Sequence, residues 1–246
     1  MLTASDRLSL HLGVYLLPLR HPVLVARQLS DLAQLAPGRL VLGVGVGGED
    51  RHEYEVCNVD PATRGRRCDE SLTVLRALLD GQTVTSTGGF FPLEDALVMP
   101  APAEPVPILV GGRSDAAVRR AARLGDGWLA IWVSPRRWAQ VLELVDEQAA
   151  AAGRGPLEWR HELQVWVGFG SSTEQARERL AREMEAFYGM AFDNFERYSP
   201  YGRPEDVAQA LAAYAEAGCR SFNLIPGGVP DDEAVESVAE VRRLLR

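Results

Sequence analysis

Two adjacent glycines, Gly111 and Gly112, follow a short apolar stretch and precede a segment with helical periodicity. Ser114 or Asp115 can cap that helix, so its first backbone N–H groups would point at the glycine turn. Glycine lets the backbone approach a ligand closely, and a helix N-terminus favours negative charge. Since Arg113 would add positive charge, the pattern predicts a phosphate-binding turn. An ordinary tight turn between a strand and a helix explains the glycines equally well.

A second glycine-rich stretch, residues 43–48, ends the apolar segment that begins at Arg39. Its glycines do not follow the Gly-x-Gly-x-x-Gly spacing and no helix follows directly, so no nicotinamide dinucleotide site is predicted. The chain contains no lysine. This excludes Schiff-base chemistry and any phosphate-binding loop that depends on a lysine.

His21 is the strongest acid–base candidate among the histidines, because an imidazole can exchange a proton near neutral pH. It stands directly before Pro22, at the entry of a predicted helix. A structural role in starting that helix is therefore the alternative interpretation. His11 alternates with apolar neighbours and is predicted to lie in the core. His52 and His161 stand among polar residues and are predicted to lie on the surface.

The composition limits the possible partners. A net charge of −8 argues against nucleic acid and against an anionic membrane surface. No apolar run is long enough to cross a bilayer, and the N-terminus lacks the basic-then-apolar pattern of a signal peptide. The three cysteines have unrelated spacings, which argues against disulfides and against a zinc site. Free cysteines are typical of the reducing cytoplasm, which is the predicted location. No metal site is predicted.

Six strand–helix units can be recognised along the 246 residues. The strands are predicted near residues 8–17, 39–48, 107–110, 126–133, 161–169 and 221–225. Residues 82–106 interrupt the alternation and are predicted to be an excursion from a single domain spanning residues 1–246. Alternating strands and helices indicate parallel strands with helical cover, either a doubly wound sheet or a (β/α) barrel. In both, ligands bind beyond the carboxyl ends of the strands, where the glycine-rich stretches lie.

Four segments resemble the bacterial luciferase-like superfamily of flavin- and F420-dependent oxidoreductases, in the order and spacing found there: residues 12–22, 38–47, 64–70 and 111–128. The resemblance implies a TIM-type barrel that lacks its first two βα units. It also implies an oxidoreductase of the monooxygenase or hydride-transfer class that acts on a small organic substrate. F420 is the expected cofactor and FMN the alternative, since the arginine-only composition suits GC-rich actinobacteria, where F420 is common.

The resemblance further implies which residues hold the cofactor: Gly13, Val14, Gly45, Val46, Gly47, Gly111, Gly112, Arg113 and Ser114. The bond between Gly13 and Val14 is expected to be a non-proline cis peptide, with an ordinary glycine bulge as the alternative. An acidic residue that some F420 enzymes carry directly after the glycine-rich strand is displaced here to Glu49. His21 is the remaining candidate for the catalytic residue.

Three functional hypotheses follow from these observations. The first is the luciferase-like oxidoreductase. The second is a shortened barrel that binds a flavin or another phosphate-bearing ligand without turnover. The third and weakest is an aldolase- or isomerase-like barrel that uses the same phosphate-binding turn, because without lysine its usual covalent chemistry is absent. A shortened barrel would leave two strand edges open, which is an aggregation hazard. A homodimer, or a fold that covers these edges, is therefore expected.

Overall fold

The computed structural model describes residues 2–48 and 50–246, which form two compact units. The first unit holds the chain up to Leu129 together with Gln148–Arg160, and the second holds Ala130–Glu147 and His161–Arg246. The prediction of one domain over residues 1–246 stays a prediction. None of the described helices is long and apolar enough to cross a membrane. Within the same ranges, no group of three or more His, Cys, Asp or Glu side chains is placed to hold a metal ion.

Strands and helices alternate along the described chain. The strands are β1 (Leu10–Leu16), β2 (Leu40–Gly45), β3 (Val84–Ser86), β4 (Leu93–Ala96), β5 (Ile108–Gly111), β6 (Gly127–Ile131), β7 (Glu162–Phe169), β8 (Tyr201–Gly202) and β9 (Phe222–Gly227). The helices are α1 (Pro22–Leu35), α2 (His52–Val56), α3 (Arg64–Leu79), α4 (Asp115–Leu124), α5 (Pro135–Ala151), α6 (Thr173–Tyr188), α7 (Pro204–Glu216) and α8 (Asp231–Leu244).

The first unit is built on a parallel sheet with the strand order β1–β2–β5–β6. The strands β2 and β5 are buried along their whole length, as expected for apolar runs that are covered on both faces. The edge strand β1 has only half-buried and exposed residues. The predicted α/β class with parallel strands is thereby confirmed for this unit.

Arg120 departs from the periodicity of α4, which predicts it on the polar face of the helix. The residue is only 8% exposed. Its Nε donates a hydrogen bond to Asp69 Oδ1 at 2.5 Å, and its Nη2 donates to the Gly65 carbonyl at 3.2 Å. A buried guanidinium is tolerated because these acceptors replace water. The contacts fix α4 against the first turns of α3.

Residues 82–106 contain an antiparallel hairpin, β3 with β4, that is separate from the parallel sheet. The Glu70 carboxylate on α3 accepts hydrogen bonds from the N–H groups of Phe90 at 2.9 Å and Phe91 at 2.8 Å. The connection between the two strands is therefore held by α3, and Phe91 is buried there.

The second unit is organised around β7. Along its whole length β9 pairs with β7 in parallel, while β8 pairs only with the carboxyl end of β7. Gly168 has partners in both neighbours, Tyr201 in β8 and Gly227 in β9, so the two strands flank β7 on opposite edges. The six predicted strands omit β8, because two residues are too few to show a periodicity.

Candidate functional site

Val14 joins three of the predicted cofactor-binding segments in the first unit. A Cβ added to Gly45 would lie 2.6 Å from Val14 Cγ2, and one added to Gly111 would lie 2.9 Å from Val14 Cγ1. This packing therefore requires glycine at both positions. Val14 is still 42% exposed, so part of its side chain is open to a ligand. We call the surface formed by Val14, Gly45 and Gly111 the glycine platform.

The peptide bond between Gly13 and Val14 is cis, which confirms the expectation drawn from the resemblance. It lies within an irregularity of the β1–β2 register between Leu12 and Tyr15. The two strands approach closely here, since a Cβ on Gly43 would lie 2.2 Å from the Leu12 carbonyl oxygen. No residue other than glycine fits at position 43.

The turn from Gly111 to Ser114 is fixed from two sides. Ser114 is the N-cap of α4, and its Oγ accepts a hydrogen bond from the Ala117 N–H at 3.3 Å. Gly112 has φ +119°, and its carbonyl accepts a hydrogen bond from Trp128 Nε1 at 2.6 Å. The backbone at the start of α4 is therefore held in place by contacts within the protein, and exposed Arg113 lies beside it.

Tyr54 fixes the second glycine-rich segment. Its hydroxyl donates a hydrogen bond to the Val46 carbonyl, and its ring lies 3.5 Å from the Cβ position of Gly47. Burial raises the pKa of Tyr54, so the hydroxyl remains a donor at neutral pH. The sequence predicts only a polar loop here, although an aromatic residue within a polar segment is a usable signal. Glu49 lies outside the described residues.

Positive charge lies next to this segment. The first turn of α3 carries three arginines and no acidic residue: Arg64, Arg66 and Arg67. Cations at a helix N-terminus oppose the helix dipole. The Arg64 guanidinium lies 3.7 Å from the point where a Cβ on Gly48 would stand. Arg67 Nε donates a hydrogen bond to the Pro18 carbonyl at 3.1 Å. This arrangement favours an anionic group near the loop.

His21 is the N-cap of α1, and its Nδ1 accepts a hydrogen bond from the Val23 N–H at 3.4 Å. Its ring stands edge-on to Phe91, with 5.4 Å between the centroids. An accepting Nδ1 places the proton of a neutral imidazole on Nε2. The structure thus supports the structural interpretation of His21, while its catalytic role stays a prediction.

Two histidines and two cysteines outside the predicted site differ in their burial. The predictions for the two histidines are wrong, because His11 is exposed and His161 is half-buried. Burial lowers the pKa of His161 to about 4. Burial also raises the pKa of Cys68 and of Cys219 to about 12. Both thiols are protonated at neutral pH and are therefore poor nucleophiles.

Comparison with known proteins identifies the family. The family model described as luciferase-like monooxygenase matches residues 1–244. The chain belongs to the luciferase-like monooxygenase family. The 4-hydroxyprotoasukamycin monooxygenase of Streptomyces nodosus subsp. asukaensis is 33% identical over 97% of this chain and 65% of its own length. The F420-dependent glucose-6-phosphate dehydrogenase of Nakamurella multipartita is 31% identical over 63% of this chain and 47% of its own.

Solved structures show that the chain has the luciferase-like fold. An F420-dependent secondary alcohol dehydrogenase in complex with an F420-acetone adduct has a TM-score of 0.88 at 21% identity. That match covers 100% of this chain and 82% of the other. The predicted TIM-type fold class is confirmed at this level. The chain spans about half the length of several curated relatives that it matches, and the absence of two βα units stays a prediction.

Proposed function

We propose that the chain is a luciferase-like oxidoreductase that uses F420, with FMN as the alternative, to oxidise or reduce a small organic substrate. The glycine platform carries this proposal. A half-exposed valine beside glycine backbone suits the face of a flat ring system, which larger side chains at Gly45 or Gly111 would block. Relatives named as F420-dependent dehydrogenases and as a monooxygenase support the reaction class.

The residues present fit a cofactor with a ring and an anionic tail. Gly13 and Val14 would contact the ring, and the segments 45–47 and 111–114 would hold the side chain and its charge through backbone N–H groups. The N-terminus of α4 favours that charge. When bound, F420 supplies hydride transfer at its ring carbon, whereas reduced FMN supplies oxygen activation. His21 would present Nε2–H to the substrate as a hydrogen-bond donor, and it would act as a proton donor from its imidazolium form.

The test is a titration of the purified chain with F420 and, separately, with FMN, followed by tryptophan emission. The hydrogen bond from Trp128 to Gly112 makes this indole a reporter of the turn. A Val14→Glu variant places an unpaired charge on the platform, and we expect its affinity to fall at least about tenfold. Val235→Glu is the matched control, because Val235 is 69% exposed in the second unit. The proposal fails if wild type binds neither cofactor, or if Val14→Glu binds like wild type.

Turnover separates the enzyme from a simple binder. Reduced F420 should be consumed in the presence of small ketones, and reduced FMN in the presence of oxygen and a substrate. Tight binding of a cofactor with no consumption of either reductant across a substrate panel would instead support the non-catalytic shortened barrel.

We also propose a homodimer that covers the outer edge of β1. Among the described strands of the first unit, β1 pairs only with β2. Leu8, just before this strand, is 55% exposed, and exposed strand edges promote association. Sedimentation velocity should give twice the mass of one chain. A monomer at all concentrations would contradict this.

A further inference from the structure

A groove in the second unit shares no residue with those assigned to the cofactor. Its volume is about 420 Å³. It is lined by the end of α7, the connection from α7 to β9, β9 itself, and the C-terminal half of α8 with the two residues that follow it. Ligands of this fold class bind beyond the carboxyl ends of the strands. This groove instead reaches Phe222, the first residue of β9. It is therefore a separate candidate site.

The floor of the groove is apolar. It consists of Phe222, Leu224, Val238, Val241 and Leu245. Val241 is fully buried, whereas the other four are half-buried. Partly exposed apolar side chains around a concave surface favour an occupant that removes them from water. The volume lies within the range of pockets that hold small molecules.

The charged residues of the groove are all cationic. Arg220, Arg242 and Arg246 line it, and no Asp or Glu is among the described residues of its wall. This bias contrasts with the whole chain, in which 34 acidic residues outnumber 26 basic ones. Arg220 Nη1 donates to the Ala215 carbonyl at 3.4 Å, which is a long hydrogen bond to a neutral acceptor. A carboxylate would be a stronger partner for these guanidinium groups.

We infer that the groove binds an anionic amphiphile, a medium-chain carboxylate of about twelve carbons, a size suited to a pocket of this class. The alkyl chain lies along the apolar floor, and the carboxylate pairs with Arg220 and Arg242. Charge complementarity selects this ligand over two others. A neutral alcohol of the same length lacks the charged contact, and an apolar protein segment would leave the arginines without a counter-charge.

The experiment measures displacement of the fluorescent fatty acid 11-(dansylamino)undecanoate from the full chain, with competitors below their micelle concentrations. Dodecanoate should compete at least about tenfold better than 1-dodecanol, because only the carboxylate pairs with arginine. Decanoate should bind roughly tenfold more weakly than dodecanoate, since it buries two fewer methylenes. Added salt should weaken dodecanoate and leave dodecanol unchanged. Equal binding of acid and alcohol would overturn the inference.

Two variants locate the site. The double variant Arg220→Gln/Arg242→Gln should lose about tenfold in dodecanoate affinity without a change for dodecanol, and Arg182→Gln on α6 is the matched control. Val238→Trp fills the floor and should abolish binding of both ligands, whereas the exposed Val235→Trp should not. Thermal melting verifies folding, and the salt series on wild type tests the charged contact if a variant fails to fold. Unchanged binding in either groove variant, or a wild-type dimer that Val238→Trp dissociates, would overturn the inference.

Discussion

Removing the hydroxyl of Tyr54 tests whether the segment around Val46 takes part in cofactor binding. The side chain is 1% exposed, and its hydroxyl donates to the Val46 carbonyl. Tyr54→Phe keeps the ring and its packing against Gly47, so only one hydrogen-bond donor is lost. The change therefore isolates the position of the Val46 carbonyl from the rest of the fold.

The expected magnitude follows from the burial of the two groups. A buried hydrogen bond contributes about 1 kcal/mol, and a carbonyl left without its donor adds up to about 2 kcal/mol when fully buried. Val46 is only half-buried, so water can replace part of the lost bond. We expect a loss of about 1 to 1.5 kcal/mol in the free energy of unfolding, or roughly 2–6 °C in Tm for a chain of this size. If binding must reorder the segment at a cost of about 1 kcal/mol, the Kd for F420 rises about fivefold.

Thermal melting and an F420 titration measure the two effects separately. The control is Tyr201→Phe in the second unit, where the hydroxyl donates to Glu196 Oε1 at 2.8 Å. This control should also lower Tm, but it should leave the Kd for F420 unchanged. If Tyr54→Phe lowers Tm and the Kd stays at the wild-type value, the Val46 segment does not contact the cofactor and the reasoning is refuted.

Three further predictions concern other parts of the chain. Gly112→Ala should destabilise the fold by about 1–3 kcal/mol and weaken F420 binding at least tenfold, because Gly112 has φ +119° and an added Cβ would lie 2.9 Å from the Cβ of Ala117. The control is Gly153→Ala, at φ +73° in open space, which should leave F420 titrations unchanged. The pKa of His161 is lowered to about 4, so its contribution to the free energy of unfolding should be constant above pH 6.5 and fall by at most about 3 kcal/mol between pH 6.5 and 4. Denaturant unfolding at several pH values measures this fall, which the variant His161→Gln should lack. Glu70→Gln should weaken the hydrogen bonds to the Phe90 and Phe91 N–H groups and speed proteolysis between β3 and β4, seen by mass spectrometry.

Much of the fold could be predicted because the long strands are either apolar runs or alternate apolar with polar residues, and the long helices show a helical period. The buried strand β2 and the start of α1 at Pro22 are examples. The apolar period predicts that α3 begins at Asp69, whereas the helix begins at Arg64, because three arginines in its first turn hide that period. The strand β8 is missed because its pairing with Gly168 depends on tertiary contacts and not on its own sequence.

The glycines of the candidate site could be identified from their pattern, but the contacts between them could not. The meeting of Val14 with Gly45 and Gly111 depends on the register of three strands that are distant in sequence. Tyr54 is missed because its partner becomes visible only when the loop is folded. The burial of His161 likewise depends on Trp138, whose ring lies 6.4 Å away although 23 positions separate the two residues in the chain.

The hydrogen bond from Trp128 to the Gly112 carbonyl has a consequence for biosynthesis. The indole that holds this carbonyl belongs to Trp128 in β6, which the ribosome makes after the turn itself. A nascent chain that ends before β6 carries the turn without its support. The Gly112 carbonyl therefore gains this donor only when β6 has left the exit tunnel and joined the sheet.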